Sequence, residues 1–318
     1  MANIVLSGKC NLRCPYCFAE DFTKEQSRDM DMDTVMRSLD FIADEGVCGL
    51  IGGEPLIYKN IDTVLEILNR DVRFHTVTVF TNGVYIDKHI DFLLSRKIHL
   101  LINLNSPAVI GKDTFDRIIS GIRALCERGM RSHITLGINI YEENQDISYF
   151  CDTLSAFSFD RARISVTIPQ DKREGAIPYF ERMKPTLLDI YAKFKEIGVA
   201  PCYDCNVIPH CVFTEEERQF IATIPYTSPA ERQLLLGNNA VCSPIVDIYP
   251  DGTATRCFGC FDDLKVRISD FKNINDLKNH FFMEIDALRV HKKSRALCSE
   301  CYDYKTFKCF GGCLCYKK

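Results

Sequence analysis

Three cysteines near the start of the chain have the spacing of metal ligands. They follow the pattern Cys10-x3-Cys14-x2-Cys17, directly after a short apolar segment. Thiolates at such spacing bind zinc or iron–sulfur clusters. A purely structural site normally uses four protein ligands, so three thiolates leave one metal position open for water, a substrate or a cofactor. The spacing predicts a reactive metal site, and a zinc site completed by a distant residue is the alternative.

Cysteine is abundant throughout, with 17 in 318 residues and no tryptophan. The first residues lack the basic and apolar regions of a signal peptide, and no apolar stretch is long enough to cross a membrane, so we expect a cytoplasmic protein. Cytosolic thiols are kept reduced, and closely spaced cysteines there are more often ligands or catalytic groups than disulfides. Cys48, Cys126 and Cys151 stand alone in apolar or helical contexts and are expected in the core.

Composition and charge exclude several classes of protein. Hydrophobic residues make up 46% and charged residues 26%, as in ordinary globular proteins. The 39 basic and 43 acidic side chains give a net charge of −4. No global field therefore attracts phosphate backbones or anionic lipid, and we expect neither a nucleic-acid nor a membrane partner.

The elements that must position the first cysteines form a repeating pattern from residue 3 to about 168. Short β-branched runs alternate with amphipathic stretches, which is typical of βα units around a parallel sheet. Strands are predicted at 3–6, 47–51, 74–81, 98–104, 132–140 and 162–168, and helices near 33–45, 60–70, 87–96, 113–128, 146–156 and 177–197. Six such units predict an α/β fold of the partial (β/α)6 TIM-like barrel type. The first cysteines follow the first strand, at the barrel end where such folds carry their chemistry.

The remaining chain predicts a bridge and a small cysteine-rich domain. Residues 199–241 lose periodicity and contain prolines, three cysteines and one predicted helix near 214–221. A β-hairpin is then predicted around Pro250-Asp251-Gly252, followed by a helix near 274–291 and a cysteine-rich tail. The predicted domains are a barrel over 1–198, a bridging region over 199–241 and an appended domain over 242–318.

Residues 10–17, CNLRCPYC, resemble the signature of radical S-adenosylmethionine (radical SAM) enzymes. The resemblance implies that the three cysteines hold a [4Fe-4S] cluster whose fourth iron binds the amino and carboxylate groups of SAM. One electron then cleaves SAM to methionine and a 5′-deoxyadenosyl radical, which implies a reductant such as flavodoxin or ferredoxin. It also implies that Tyr16 lies against the adenine.

A second motif, Gly52-Gly53-Glu54-Pro55, is similar to the glycine-rich SAM motif of that family. Two glycines let a backbone approach the amino group of the ligand without a Cβ in the way, and proline fixes the turn. Alternatives are a plain strand-to-helix turn and, for Glu54, a solvated loop carboxylate.

Further contacts to SAM or substrate are implied at the ends of later strands. The candidates are Thr81, Asn82, Asn103, Asn105 and Asn139. Asn105 stands where many relatives carry an acidic residue, so it can hydrogen-bond a ribose or substrate but cannot act as a carboxylate base. For Asn139, a satisfied core amide is an equal alternative. The sequence identifies no catalytic acid or base.

The last cysteines resemble the SPASM domain that is appended to radical SAM modifiers of peptides and proteins and holds two auxiliary [4Fe-4S] clusters. The first part of the array fits the family's spacing, whereas the seven residues between Cys301 and Cys309 and the position of Cys315 do not. The resemblance implies an inner cluster on Cys242, Cys257 and Cys313, and an outer cluster on Cys298, Cys301, Cys309 and Cys315.

The fourth inner ligand stays open between Cys260, Cys205, Cys211 and an empty position at which substrate could coordinate, and Cys202 has no assigned role. A zinc ribbon that joins the cysteine pairs 257/260 and 298/301 is the alternative to two clusters.

The resemblance implies a maturase that crosslinks, forms a thioether in, or dehydrogenates a side chain of a ribosomal peptide or protein. The strand pattern begins at residue 3, so recognition of a leader peptide is expected from a separate protein, from the bridge, or not at all. Alternatives are a dehydrogenase or rearrangement enzyme for a small metabolite, a sulfatase-type maturase and a non-catalytic iron–sulfur electron carrier.

Overall fold

A computed structural model describes residues 1–17, 19–25, 28–167, 175–202, 208–226, 228, 244–261 and 263–317. The chain divides into two compact units, each made of two separate segments. Unit 1 contains Met1–Thr135 and Pro244–Met283, and unit 2 contains Leu136–Ser243 and Glu284–Lys318. The predicted domains at 1–198, 199–241 and 242–318 follow chain order and stay a prediction, whereas the compact units combine early and late segments.

The secondary structure alternates strands and helices, as predicted. The strands of the described residues are β1 Ala2–Ser7, β2 Val47–Gly52, β3 Thr76–Thr81, β4 Ile98–Asn103, β5 Ile134–Ile140, β6 Arg161–Val166, β7 Ala200–Cys202, β8 Asp247–Ile248, β9 Thr253–Thr255 and β10 Val266–Arg267. The α-helices are α1 Glu20–Glu25, α2 Met32–Ile42, α3 Ile61–Arg70, α4 Ile86–Leu93, α5 Pro107–Ile110, α6 Lys112–Glu127, α7 Ser148–Ala156, α8 Ala176–Ile197, α9 Glu215–Ile221, α10 Ile274–Phe281, α11 Ala287–Arg289 and α12 Tyr302–Lys305. None of these helices combines the length and apolarity needed to cross a bilayer.

The sheet of unit 1 has a parallel centre. β1 pairs with β2, β2 with β3 and β3 with β4, all in parallel. All six residues of β1 are buried, as expected for a parallel strand that is covered on both faces. α3 buries Ile61, Val64, Leu65 and Leu68, a spacing that places them on one helical face. These elements bring the carboxyl ends of β1 to β4 to one edge of the sheet.

The predicted hairpin of residues 245–257 is present as β8 and β9, and it extends the sheet of unit 1. β8 lies parallel to β1, with Asn3 opposite Asp247 and Ile4 opposite Ile248. The Asn3 side-chain amide donates to Asp247 Oδ1 at 2.7 Å. Gly252 takes a φ of +76° at the hairpin turn, where glycine has no steric penalty. This pairing explains why a late segment belongs to the first unit.

Unit 2 contains two parallel strand pairs, β5 with β6 and β6 with β7. The three-residue β7 was not predicted, because it is too short to show a period. α8 ends at Gly198, which adopts a left-handed conformation with a φ of +73°. The predicted helix near 274–291 is interrupted after α10 by a π-helical turn at Phe282–Asp286.

The lone cysteines lie largely in the core, as expected. Cys48 is fully buried and Cys151 is buried, whereas Cys126 is half-buried on α6.

Candidate functional site

The cysteine loop begins where β1 ends, and backbone hydrogen bonds hold it against the end of β2. The amide of Gly53 donates to Ser7 O at 2.8 Å, and the amide of Glu54 donates to Lys9 O at 2.8 Å. A Cβ on Gly52 would stand 2.4 Å from Ser7 O, and one on Gly53 would stand 2.2 Å from Lys9 O. Both distances are too short for a real contact. The two glycines are therefore required by the close approach of two stretches of this chain, in addition to any approach of a ligand.

Glu54 is a buried anchor between strand ends, and the solvated-carboxylate interpretation is wrong. Its side chain is 1% exposed. It accepts hydrogen bonds from the Leu56 amide at 2.9 Å, the Thr81 hydroxyl at 2.7 Å and the Asn82 amide at 2.7 Å. Burial raises the pKa of this carboxyl group. Glu54 thus fixes the end of β3 relative to the turn that follows β2.

Asn82 connects this anchor to the cysteine loop. Its side-chain amide donates to Asn11 Oδ1 at 2.9 Å, and its Oδ1 accepts from the Val84 amide at 3.0 Å. Sequence reasoning did not single out Asn11, although it lies inside the CNLRCPYC motif. The described geometry gives Asn82 a positioning role in the loop that carries Cys10 and Cys14.

Tyr16 and Asn105 form a polar pair beside Cys14. The Tyr16 hydroxyl donates to Asn105 Oδ1, and Asn105 is 4% exposed. Asn103 is half-buried at the end of β4. The structure therefore brings the ends of β1, β2, β3 and β4 together in unit 1, and a role of these side chains in binding SAM stays a prediction.

Asn139 lies in β5 and is described with unit 2. It is 7% exposed, and its Oδ1 accepts from Arg163 Nη1 at 3.3 Å. This contact agrees with a satisfied core amide, the alternative to a ribose contact.

The thiols of Cys10, Cys14 and Cys17 are poor acids before metal binds. Burial raises the pKa of all three, and the neighbouring thiols Cys17 and Cys10 raise it further for Cys14, to about 11. Metal binding must therefore displace protons, which a strong cation does. Within the described ranges no group of three or more His, Cys, Asp or Glu side chains is arranged around one metal ion. Three soft thiol donors closely spaced on one loop have the chemistry of ligands to an iron–sulfur cluster.

A second thiol pair lies at Cys257 and Cys260, also in unit 1. A hydrogen bond from Cys260 and the nearby Arg256 guanidinium lower the pKa of Cys257 to about 6. Arg256 is 1% exposed, and its Nη1 lies 3.8 Å from Cys257 Sγ. Burial raises the pKa of Asp247, opposite Asn3, to about 8. The pair has the donor chemistry of metal ligands, while Cys242 lies outside the described residues.

Unit 2 gathers four other cysteines around one cavity of about 50 Å³. The thiol-bearing residues that line it are Cys211, Cys298, Cys301 and Cys309. Cys313 and Cys315 do not line this cavity, and their sulfur atoms lie 3.0 Å from each other. This grouping differs from the outer cluster that the SPASM resemblance implies, because it contains Cys211 and lacks Cys315. Cys202 is half-buried, and Cys205 lies outside the described residues.

Comparison with known proteins agrees with the first site. Residues 4–154 match the family model of the "Radical SAM superfamily". This part of the chain is a radical SAM domain. The domain implies SAM and a [4Fe-4S] cluster as cofactors, and the residues described above fit them.

Relatives in sequence include proteins that act on small molecules and one of peptide biosynthesis. A GTP 3′,8-cyclase of Chlorobaculum tepidum is 33% identical over 29% of this chain and 28% of its own length. The antilisterial bacteriocin subtilosin biosynthesis protein AlbA of Bacillus subtilis is 23% identical over 45% of this chain and 34% of its own length. A probable GTP 3′,8-cyclase of Methanococcus vannielii is 25% identical over 87% of this chain and 90% of its own length. The chain spans about a third of the length of the first two relatives.

Solved structures share the fold. Streptococcus suis SuiB bound to S-adenosylmethionine matches 98% of this chain and 72% of its own, with 18% identity and a TM-score of 0.62. The enzyme anSMEcpe with bound AdoMet and the Kp18Cys peptide matches 98% of this chain and 88% of its own, with 17% identity and a TM-score of 0.69. The predicted fold class, a partial α/β barrel followed by a cysteine-rich segment, is confirmed.

Proposed function

We propose that the protein is a radical SAM oxidoreductase that oxidatively modifies a side chain of a peptide or protein by crosslinking, thioether formation or dehydrogenation. Bound SAM and its [4Fe-4S] cluster would supply a 5′-deoxyadenosyl radical, which removes a hydrogen atom from an unactivated carbon. The observation that carries the proposal is the attachment of the three-cysteine loop to the Gly53-Glu54 turn by two backbone hydrogen bonds.

This chain's own residues would hold and orient the cofactors. Cys10, Cys14 and Cys17 are the thiol donors, and the absence of a Cβ at Gly52 and Gly53 lets their loop pack closely against the end of β2. Further polar side chains lie at the same edge of the sheet. Among them, Asn105 carries an amide that does not titrate, so it cannot act as a base. A base that accepts a proton from the substrate during its oxidation is therefore expected at another position.

An oxidative outcome is supported by the cysteines that lie outside the first loop. Hydrogen abstraction leaves a radical on the substrate, and a closed-shell oxidised product forms only when one more electron is removed. The pair Cys257 and Cys260 and the four cysteines at the cavity of unit 2 are thiol donors for auxiliary [4Fe-4S] clusters that can accept this electron. Such clusters, and a flavodoxin or ferredoxin as reductant, are part of the proposal.

A peptide or protein substrate is supported by the structural relatives. SuiB has been solved with the precursor peptide SuiA, and anSMEcpe with a bound peptide. A separate leader-recognition protein is proposed as a possible partner.

The first test measures 5′-deoxyadenosine. Iron-loaded protein with SAM and dithionite is expected to form it, and a Cys14→Ala variant is expected to form none above background, because the cluster loses one of three thiolate ligands. Cys126→Ala, a half-buried cysteine on α6, is the matched control and is expected to keep the wild-type rate. Absence of 5′-deoxyadenosine from well-loaded wild-type protein would defeat the proposal.

A small-molecule substrate is the second candidate. It is supported by the relatives named GTP 3′,8-cyclases, one of which aligns over 87% of this chain. Stimulation of 5′-deoxyadenosine formation by GTP, with a product of the same mass as GTP, would favour this candidate. Stimulation by peptides, with a product two mass units lighter, would favour oxidative peptide modification.

A further inference from the structure

We propose that Cys211, Cys298, Cys301 and Cys309 are the complete ligand set of one [4Fe-4S] cluster in unit 2. Cys211 comes from the segment after β7, and the other three come from the C-terminal tail. The set excludes Cys315, which the resemblance to the SPASM domain had placed in the outer cluster. This proposal concerns iron binding alone, so its test does not depend on the substrate class.

The cavity is a site for a bound group. All four cysteines line it, and its volume of about 50 Å³ exceeds the 10–15 Å³ that one water molecule requires. His210 also lines the cavity, and its Nδ1 is buried without a hydrogen-bond partner in the described part of the chain. Buried polar atoms are rarely left unpaired, so this cavity is expected to be filled.

The chain holds the four thiols in place from both segments. His210, next to Cys211, contacts Asp303 at 3.0 Å between Nε2 and Oδ2. The Gly311 amide donates to Cys309 Sγ at 3.3 Å, which is a common contact to a cluster thiolate. Gly311 has a φ of +73°, and a Cβ there would stand 2.4 Å from Ser294 Oγ. A glycine is thus required at the turn that presents this amide.

Charge also favours four thiolates at this position. A cluster held by four thiolates is an anion, and its binding needs nearby cations. The Arg295 side chain lines the cavity together with Cys211. The Lys317 ammonium is 4% exposed and interacts electrostatically with Cys309 and Cys298. Two basic side chains of the C-terminal tail therefore lie near the thiols.

Four protein ligands close the site. The [4Fe-4S] core has four irons, and each one would carry a cysteine, so no iron is open to a substrate. This cluster would transfer electrons or stabilise the fold, in contrast to the three-cysteine site of unit 1.

The test compares single variants after loading of the full chain with ferrous iron and sulfide without oxygen. The component of the electron paramagnetic resonance spectrum that is lost in Cys298→Ser is assigned to this cluster. Cys211→Ser is expected to remove or alter the same component and to lower iron by up to about four per chain, and the double variant is expected to lose no more. Cys151→Ser, a buried cysteine of the same unit, is the matched control. The proposal is overturned if Cys211→Ser leaves that component intact, or if Cys315→Ser removes it.

A second measurement uses the wild-type chain and does not depend on the folding of a variant. Iron-loaded protein is treated with N-ethylmaleimide, and the labelled cysteines are identified by mass spectrometry. Cys211 is expected to be protected together with Cys298, Cys301 and Cys309, and all four are expected to react once iron has been removed by a chelator. Labelling of Cys211 in protein that still protects Cys298 would contradict the proposal.

Discussion

Replacement of Glu54 by glutamine tests how the ends of β2 and β3 are held. Glu54 uses one carboxylate oxygen for the Leu56 amide and the Thr81 hydroxyl, and the other for the Asn82 amide. Both amides can only donate hydrogen bonds. A glutamine has one oxygen, so its NH₂ group must face one of them, whichever way the side chain is turned.

The expected loss follows from that geometry. A buried backbone amide without an acceptor costs about 1–3 kcal/mol, and the site is too enclosed for water to replace the carboxylate. Glu54→Gln should lower the free energy of unfolding by this amount, measured by urea denaturation of the metal-free protein. Because Asn82 also holds Asn11, up to the same free energy can appear in SAM binding, which corresponds to a dissociation constant raised at most about 150-fold.

Glu66→Gln is the control for this experiment. Glu66 lies on the surface of α3 and contacts Arg70 at 2.5 Å, with about half of its side chain exposed. Such pairs contribute little, so the change in unfolding free energy should stay below about 0.5 kcal/mol. If Glu54→Gln behaves like Glu66→Gln in both measurements, Glu54 does not anchor the two strand ends and the reasoning fails.

Two further substitutions follow from the same structure. Gly53→Ala places a Cβ 2.2 Å from Lys9 O, so it should destabilise the protein by about 1–3 kcal/mol. It should also abolish SAM binding, measured by calorimetry. Gly175→Ala is the control, because its Cβ would be 3.5 Å from its nearest neighbour, and it should leave SAM binding unchanged. Asp31 caps α2 by accepting from the Thr34 amide at 2.8 Å, and that bond lowers the pKa of Asp31. Asp31→Ala should therefore cost about 1 kcal/mol at neutral pH, and this difference should decrease as the pH falls through the lowered pKa of Asp31. Equal stability of the two proteins at neutral pH would refute the cap.

The parallel strands were predictable because each is a β-branched run followed by a helix of clear period. The predicted strands at 47–51 and 98–104 agree with β2 and β4 within a residue. The hairpin was predictable from its turn residues. Its position was not, because the parallel pairing of β8 with β1 depends on a buried contact between Asn3 and Asp247, which are far apart in sequence.

The candidate site likewise has some features that the sequence predicts and others that it does not. Cys10, Cys14 and Cys17 were identifiable because local spacing encodes one metal site. The buried role of Glu54 was not, since a glutamate in a glycine-rich turn has no local signal for burial. Cys211 was assigned to no site securely, because its cavity is formed by two segments whose contact leaves no pattern in the spacing of cysteines.

The contacts of unit 1 also attach an early and a late cysteine motif to one hydrophobic core. Phe22 of α1 follows the first cysteine loop, and its ring centroid lies 5.1 Å from that of Tyr249. Tyr249 in turn lies 5.4 Å from Phe261, next to Cys260. Aromatic side chains in such contact pack as one rigid core, so the loop and the turn cannot move independently. If the two motifs hold clusters as proposed, this shared hydrophobic core would keep the clusters at a fixed separation for electron transfer, a link that the order of the motifs along the chain does not reveal.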